Sequence, residues 1–180
     1  MNTAEKLQHK LSILELLEGL TNLDGLDQSL SNCVIGGVQL DSRLLKPGDL
    51  FLACFGRNHD ARDFVPEAIE LGVAAVVVES GEHWQGVKFH GEVPVFAIDN
   101  LSAKLSEIAA RFHQRPSEKL TVIGITGTNG KTSCSQFIAQ TLADMHMNCG
   151  VIGTLGYGVY GELQETSLTT PDAVFTQAAL

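Results

Sequence analysis

Apolar runs of strand length alternate with helical patterns along this chain. Short apolar runs predict strands at residues 38–40, 50–54, 73–78 and 94–98. The run at residues 73–78 is unbroken, which indicates a strand covered on both faces. Helical spacing of apolar residues predicts helices at residues 7–17, 64–71 and 101–112. Strands that alternate with helices predict an α/β fold.

Residues that begin and end helices support these assignments. Asp60 or Asp63 can cap the helix at residues 64–71, Pro66 is tolerated if it lies in the first turn, and Gly72 is placed to end it. Arg115-Pro116-Ser117-Glu118 breaks the last of the three helices. We therefore predict two domains, residues 1–115 and 116–180.

The second stretch predicts the opening βαβ unit of a parallel-sheet domain. Apolar residues 120–126 predict a strand, residues 134–145 show helical spacing, and a further strand is expected near residues 150–155. A glycine-rich loop follows through residues 156–161, and Thr169-Thr170-Pro171-Asp172 opens a helix with Pro171 at its first position. Because a parallel sheet needs more strands than these, we expect the chain to be a piece of a longer protein. The alternative is a small protein that ends here.

A glycine turn between the predicted strand and helix carries the chemistry, Gly127-Thr128-Asn129-Gly130-Lys131-Thr132-Ser133. Glycines let backbone N–H groups converge on phosphate oxygens, and the following helix adds its free N–H groups. Lys131 would act as the catalytic cation on the β- and γ-phosphates, and the Thr132 hydroxyl would be a Mg²⁺ ligand. The usual phosphate loop has glycine where this chain has Ile125. The alternative is a strand-to-helix turn that binds nothing, with Asn129 serving only the turn.

Charge and composition limit the classes of binding partner that this chain can have. The 180 residues carry a formal net charge of −9, which argues against nucleic acid or an anionic membrane. No apolar run is long enough to span a membrane, and the N-terminus lacks the apolar core of a signal peptide. Four cysteines without a C-x-x-C pair indicate reduced, mostly buried thiols, and a metal site built from them is not expected. We expect a cytoplasmic monomer.

Three segments resemble the Mur ligases, the ATP-dependent amide-forming enzymes of peptidoglycan synthesis. Asp41-Ser42-Arg43 and Pro47-Gly48-Asp49-Leu50-Phe51 resemble the N-terminal domain of these enzymes. The glycine turn looks like their phosphate loop, which also lacks the outer glycine, so Ile125 becomes expected. Gly153-Thr154-Leu155-Gly156-Tyr157 and Leu168-Thr169-Thr170-Pro171-Asp172-Ala173 are similar to the MurE branch of the family.

The resemblance implies a fold and a reaction. Residues 1–115 would be the UDP-N-acetylmuramoyl-binding α/β domain, and residues 116–180 would begin the central ATP-binding domain, a truncated phosphate-loop domain with a parallel sheet. The implied enzyme uses ATP and Mg²⁺ to add the third stem-peptide residue to UDP-N-acetylmuramoyl-L-alanyl-D-glutamate through an acyl phosphate. The sequence does not distinguish diaminopimelate from lysine as that residue, and diaminopimelate is taken as the starting expectation. The implied partners are these small molecules.

The resemblance also implies site residues. The glycine turn would bind ATP, and the UDP-linked substrate would contact residues on both sides of it: Leu40, Ser42, Arg57, Asn58, His59, Thr169 and Thr170. Residue types of this kind can serve a uracil and a diphosphate. The alternative is structural: Asp41-Ser42-Arg43 caps a turn, Arg57 is solvated and Thr170 caps a helix.

Two other functions remain open at this stage. One is a small phosphoryl-transfer kinase or NTPase built on the same loop, although little chain remains for its acidic metal ligand and base. The other is a non-catalytic uridine-nucleotide-binding module. Under the Mur ligase hypothesis, we expect the 180-residue chain alone to be catalytically inactive and to bind the UDP-sugar weakly.

Overall fold

The computed structural model describes residues 11–56, 60–165 and 171–180. The chain divides into two compact units, Met1–Phe112 and His113–Leu180. This division lies slightly before the predicted boundary at residue 115. Arg115 has a positive φ of 53° and precedes a 3₁₀ turn at Pro116–Glu118, so the chain turns where the Arg-Pro-Ser-Glu sequence indicates.

The first unit combines a sheet with three helices in its described part. The strands are Gly37–Gln39 (β1), Asp49–Ala53 (β2), Ala75–Glu79 (β3), Val87–His90 (β4) and Val93–Ile98 (β5). The helices are Ile13–Leu17 (α1), Val65–Leu71 (α2) and Leu101–Phe112 (α3). Short 3₁₀ turns lie at Gln28–Asn32, Ser42–Leu44 and Ala61–Phe64.

The sheet is mostly parallel, in the order β1-β2-β3-β5-β4. β1, β2, β3 and β5 run parallel, and β4 pairs antiparallel with β5 at one edge. The predicted α/β class is confirmed. The sequence reasoning missed β4, because its side chains are mostly exposed and give no continuous apolar run.

The core of the first unit covers both faces of the central strands. On one face, Phe51 of β2 and Val76 of β3 pack with Val65 and Ala68 of α2. The alternate residues of the same strands, such as Leu50 and Val77, are also fully buried. α3 packs against β1, β3 and α1 and covers that second face. The unbroken apolar run of β3 follows from this two-sided burial.

The predicted end of α2 at Gly72 is confirmed, but the aspartate cap predicted for its start is wrong, because α2 follows Phe64, which makes no side-chain capping hydrogen bond. Asp60 caps the 3₁₀ turn that runs directly into α2, and its side chain accepts a hydrogen bond from the Arg62 N–H at 3.1 Å. Pro66 lies in the first turn of α2, where its missing N–H has no intrahelical partner to lose. Gly72 ends the helix with a left-handed φ of 88°.

The start of α1 differs from the prediction. The helix begins at Ile13, and Ser12 forms a capping box with Glu15, whose N–H donates to the Ser12 hydroxyl at 3.3 Å. Leu11 precedes the helix and the backbone N–H of Ile35 donates to its carbonyl at 3.0 Å. A serine cap therefore decides the helix start against the leucine periodicity. Residues 1–10 lie outside the described residues.

The second unit has fewer helices and strands than the first among the described residues. Its described elements are Lys131–Asp144 (α4), Gly150–Gly153 (β6), Gly156–Val159 (β7) and Ala173–Ala179 (α5). β6 and β7 form a two-stranded antiparallel sheet, and α4 packs on β6. The predicted helix after the glycine turn and the predicted strand near residue 150 are confirmed.

Two predictions in this unit are wrong. Residues 120–126 form no strand, and Leu120, Val122 and Ile123 are 50%, 60% and 57% exposed. An extended apolar segment becomes a strand only when another strand pairs with it, and β6 pairs with β7 instead. The expected βαβ unit is therefore not formed, and part of the loop predicted at residues 156–161 is β7.

The last helix also starts differently. Asp172 caps α5, and its carboxylate accepts a hydrogen bond from the Phe175 N–H at 2.7 Å. Pro171 thus precedes the cap instead of occupying the first helical position. The aspartate carboxylate accepts a hydrogen bond from an N–H group of the first helical turn, whereas a proline side chain has no acceptor.

The described residues also show the state of the cysteines and the lengths of the helices. All four cysteines are free, as predicted, but the prediction that most are buried is wrong, because three are half-buried and Cys134 is exposed. Partial burial, with a smaller contribution from the Glu79 charge, raises the pKa of Cys54 to about 11. In the part of the chain that the structure describes, no helix is long and apolar enough to cross a membrane. Over the same residues, no three His, Cys, Asp or Glu side chains are grouped as a metal site would require.

We predict unequal local stability in the two units. Amides of β2 and β3 should exchange with solvent at least about tenfold more slowly than those of β6 and β7, because an isolated two-stranded sheet is marginally stable. Native-state hydrogen exchange on the 180-residue chain measures this directly. Equal protection of the two sheets would contradict the prediction.

Candidate functional site

The glycine turn before α4 has the backbone conformation that a phosphate loop requires. Gly127 has a φ of 147° and Gly130 a φ of 77°, both in the region that side chains disfavour. Gly130 is the residue before the helix, and its carbonyl accepts the first helical hydrogen bond from the Cys134 N–H at 2.9 Å. Nothing lies within 4 Å of a Cβ built on Gly130, so backbone conformation alone requires glycine there.

The start of α4 supplies unpaired N–H groups to this turn. No side chain caps the helix, so the N–H groups of Lys131, Thr132 and Ser133 have no partner within it. The 14-residue helix directs its positive dipole end toward the same place. Such a turn can hold an anion.

Lys131 lies over the turn. Its ammonium group donates a hydrogen bond to the Gly127 carbonyl, which bridges the two ends of the turn. Thr132 follows at the second helical position, with a half-buried side chain, and Thr128, Asn129 and Ser133 are exposed. The structure thus brings all seven residues of the predicted loop together at one helix start.

Ile125 occupies the place where the usual loop has glycine. Its side chain is half-buried, and its backbone is not in the left-handed region. A side chain is therefore compatible with the chain path there, which explains the departure from the usual motif in conformational terms.

Leu40 and Ser42 lie after β1 in a turn organised by the residue between them. The Asp41 carboxylate caps the 3₁₀ turn at Ser42–Leu44 and accepts two further hydrogen bonds from the Arg43 guanidinium at 2.6 and 2.8 Å. The Arg43 guanidinium lowers the pKa of Asp41 to about 2, mainly through its side-chain hydrogen bonds. The structure therefore gives Asp41 and Arg43 a turn-capping role, and leaves Leu40 and Ser42 half-buried beside it.

A second turn of the same kind follows β2. Asp60 accepts hydrogen bonds from the Arg62 guanidinium at 2.6 and 2.8 Å, which lower the pKa of Asp60. Arg62 also donates to the Glu79 carbonyl at 3.4 Å, and its guanidinium lies 4.9 Å from the centroid of the Phe55 ring. Its side chain is only 16% exposed, against 86% for Arg43. The second turn is thus tied to the end of β3.

These contacts border a shallow depression in the first unit. Its volume is about 380 Å³, and it is lined by Phe55, Arg62, Glu79, Ser80 and Ser102. The Glu79 carboxylate accepts hydrogen bonds from the N–H groups of Leu101 and Ser102 at 3.0 and 3.3 Å, and so caps α3 from the end of β3. The Ser80 hydroxyl donates to the Asp99 carboxylate.

The sequence analysis missed this depression, although one signal pointed toward it. The Asp-x-Arg pattern occurs at residues 41–43 and again at residues 60–62, each time in the connection that follows a strand of the sheet. The other predicted contacts, Arg57, Asn58, His59, Thr169 and Thr170, lie outside the described residues. The predicted contacts that are described fall in different units, Leu40 and Ser42 in the first and the glycine turn in the second.

Comparison with protein families gives two matches, one in each unit. The family model described as "Mur ligase family, catalytic domain" matches residues 34–113, and the model described as "Mur ligase middle domain" matches residues 125–180.

Curated relatives share one name, UDP-N-acetylmuramoyl-L-alanyl-D-glutamate--2,6-diaminopimelate ligase. The protein from Coxiella burnetii is 46% identical over 158 residues, which cover 87% of this chain and 32% of the relative. That from Haemophilus influenzae is 40% identical over 167 residues, covering 91% of this chain and 34% of the relative. The chain thus spans about a third of the length of the relatives it matches.

Solved structures agree with the fold. A structure titled as a UDP-N-acetylmuramoyl-L-alanyl-D-glutamate--2,6-diaminopimelate ligase superposes with a TM-score of 0.70 at 26% identity, over 94% of this chain and 32% of its own. A MurF structure from Acinetobacter baumannii gives a TM-score of 0.55 at 23% identity, over 77% of this chain and 28% of its own, and supports the fold alone.

We predict that Gly130→Ala impairs the glycine turn. A side chain at this left-handed position adds strain of about 1–2 kcal/mol, so the start of α4 should fray and ATP affinity should fall. Gly124→Ala is the matched control, because Gly124 has no left-handed φ and no atom within 4 Å of an added Cβ. Calorimetry with ATP and thermal unfolding compare the two. Equal ATP affinity of the two variants would contradict the role of Gly130.

We also predict that the two Asp-x-Arg turns differ in their contribution to stability. Arg62→Ala should lower the free energy of unfolding by about 1–3 kcal/mol, because it removes the partners of Asp60 and Phe55 in a mostly buried place. Arg43→Ala should leave the melting temperature nearly unchanged, because Arg43 is solvated. Urea denaturation of both variants tests this, and equal losses would argue against it.

Proposed function

We propose that this chain, which belongs to the Mur ligase family, is part of a ligase that joins diaminopimelate to UDP-N-acetylmuramoyl-L-alanyl-D-glutamate with the use of ATP. The identity of 46% to a ligase of that name, over 87% of the chain, is the observation that carries the proposal. The backbone conformation of the glycine turn supports it independently. Because the chain spans about a third of such a ligase, the activity belongs to the longer protein.

The two parts of the chain would have separate tasks. Residues 1–115 would bind the UDP-linked substrate through Leu40, Ser42 and the segment 57–59, with Thr169 and Thr170 contacting the muramoyl side. Residues 116–180 would begin the ATP-binding domain. Because the net charge of −9 repels anions, binding of ATP and of the UDP-linked substrate would depend on hydrogen-bond donors and cations close to each ligand.

The reaction needs the glycine turn because a carboxylate is a poor electrophile. Transfer of the γ-phosphoryl group of ATP to the D-glutamyl carboxylate gives an acyl phosphate and ADP. The amine of diaminopimelate then attacks the acyl carbon, the C–O bond to phosphate breaks, and the amine proton is lost. Lys131 and the N–H groups at the start of α4 would orient the phosphates and balance their charge during the first step.

Binding of ATP would require Lys131 to exchange its partner. Its ammonium group now donates to the Gly127 carbonyl, and a phosphate oxygen is a stronger acceptor. Thr132 is the hydroxyl that fits a Mg²⁺ ion here, since Mg²⁺ takes few protein ligands and completes its shell with phosphate and water. Bound Mg²⁺ would neutralise charge on the β- and γ-phosphates.

A uridine-nucleotide-binding module without catalysis is the second candidate. It would rest on the first unit alone, whose sheet is complete on both faces while the second unit has exposed apolar residues. A kinase or NTPase is less well supported, because the curated relatives reported above are named as ligases.

Calorimetry on the 180-residue chain tests the proposal. We predict weak binding of UDP-N-acetylmuramoyl-L-alanyl-D-glutamate and no ATP-dependent ligation by this chain. Lys131→Ala should weaken ATP binding by roughly tenfold or more, since it removes a charge-assisted contact. Lys119→Ala, which removes an exposed lysine of the same unit, is the control. Tight ATP binding without any response to the UDP-sugar would favour the kinase alternative, and detectable ligation would overturn the expected inactivity.

A further inference from the structure

Tyr157 of β7 contacts the chain on both sides of a segment that contains two predicted substrate contacts. These contacts, residues 169 and 170, lie outside the described residues. Before them in the chain, Gln164 is hydrogen-bonded to Tyr157. After them, Phe175 in the first turn of α5 packs against the ring of Tyr157. One residue thus holds the chain at both ends of the segment.

Three hydrogen bonds join Tyr157 to Gln164. The backbone N–H of Tyr157 donates to the Gln164 carbonyl at 3.0 Å, and the backbone N–H of Gln164 donates to the Tyr157 carbonyl at 2.8 Å. The Tyr157 hydroxyl also donates to Oε1 of Gln164 at 2.8 Å. The backbone bonds form whatever the side chain is, whereas the third bond depends on a hydroxyl at the end of a long, rigid ring. The side chain of Tyr157 therefore adds a constraint that the strand pairing alone does not supply.

Glycines on both sides of Tyr157 allow the chain to approach it this closely. Gly156 and Gly158 have φ angles of 131° and 128°, which side chains disfavour. A Cβ built on Gly156 would collide with the Gln164 carbonyl oxygen, and one built on Gly158 would lie 3.3 Å from the Glu162 carbonyl oxygen. The Gly-Tyr-Gly sequence therefore combines one large ring with room for another segment beside β7.

The Tyr157 ring also fixes the start of α5. Its centroid lies 4.8 Å from that of the Phe175 ring, and the two planes are inclined by 80°, which is the edge-to-face arrangement that aromatic pairs favour. The backbone of Phe175 is held in turn by the helix cap, because its N–H donates to the Asp172 carboxylate at 2.7 Å. Both rings are half-buried. The ring contact therefore links β7 to the capped first turn of α5.

We propose that Tyr157 is a positioning residue for the muramoyl side of the UDP-linked substrate, and that it acts through Thr169 and Thr170. A chain segment that is held at both ends has fewer conformations to lose when its hydroxyls bind a sugar. This role rests on the proposed function, because that function gives the muramoyl contact to the two threonines. It also gives a purpose to the Gly-Tyr-Gly sequence, which the proposed function leaves without one.

The test separates the muramoyl contribution to affinity from the uridine contribution. Calorimetry on the 180-residue chain gives the Kd of UDP and the Kd of UDP-N-acetylmuramoyl-L-alanyl-D-glutamate, and their ratio reports contacts beyond the UDP group. Tyr157→Leu removes the ring contact and the hydroxyl bond, so it should lower this ratio roughly threefold to tenfold, with the Kd of UDP unchanged. Tyr157→Phe keeps the ring and should give a smaller loss. Tyr160→Leu, at the other tyrosine of the chain, is the control and should keep the wild-type ratio.

A double-mutant cycle distinguishes positioning from a general loss of stability. If Tyr157 acts through the threonines, Tyr157→Leu should lower the ratio little further in a chain that already carries Thr169→Ala and Thr170→Ala. Thermal unfolding verifies that each variant is folded at the temperature of the titration. A wild-type ratio in Tyr157→Leu, or a full loss on top of the threonine variants, overturns the role of Tyr157 and leaves the proposed function standing. A ratio of about one in the wild-type chain overturns both this role and the muramoyl contact proposed for the threonines.

Discussion

Burial of the central strands on both faces is the constraint on which the first unit depends. Every residue of β2 is buried, and Phe51 and Leu50 point into opposite halves of the core. A parallel strand so placed needs a helix on each side, which α2 and α3 provide. The connections must then leave the sheet toward opposite faces, and their first residues meet at its carboxyl edge. The depression beside Phe55 is thus a consequence of how the core is covered, since the same packing that buries the strands leaves a crevice between the connections.

The second unit has no strand that is buried on both faces among its described residues. Residues 120–126 are mostly apolar but form no strand, and β6 and β7 form an antiparallel pair by themselves. The glycine turn nevertheless has its full conformation. Positive φ angles at Gly127 and Gly130 and an uncapped helix start are local features, which need no completed sheet. The backbone conformation of a phosphate loop can therefore form without a complete, packed sheet around it.

The two Asp-x-Arg turns show which contacts follow from local sequence and which follow from the position of the turn in the sheet. Asp41 with Arg43, and Asp60 with Arg62, make the same capping bond and the same forked ion pair. Only the second reaches an aromatic ring and the end of β3, because it follows a strand in the middle of the sheet while the first follows an edge strand. Identical short-range chemistry thus gives a solvated cap in one place and a brace at the end of β3 in the other.

The sequence alone determined what depends on neighbours along the chain. Residue types and spacing predicted the strands of the first sheet apart from β4, the end of α2 at Gly72, the helix after the glycine turn and the family resemblance. Tertiary structure decided what depends on partners that are distant in sequence. It left residues 120–126 without a strand, turned part of a predicted glycine loop into β7, began α1 at a serine cap that also pairs with a distant segment, and brought Phe55 to the residues that end β3 and begin α3. The physical reason is that periodicity reports which side chains seek burial, whereas pairing and crevices are set by which surfaces are present to bury them.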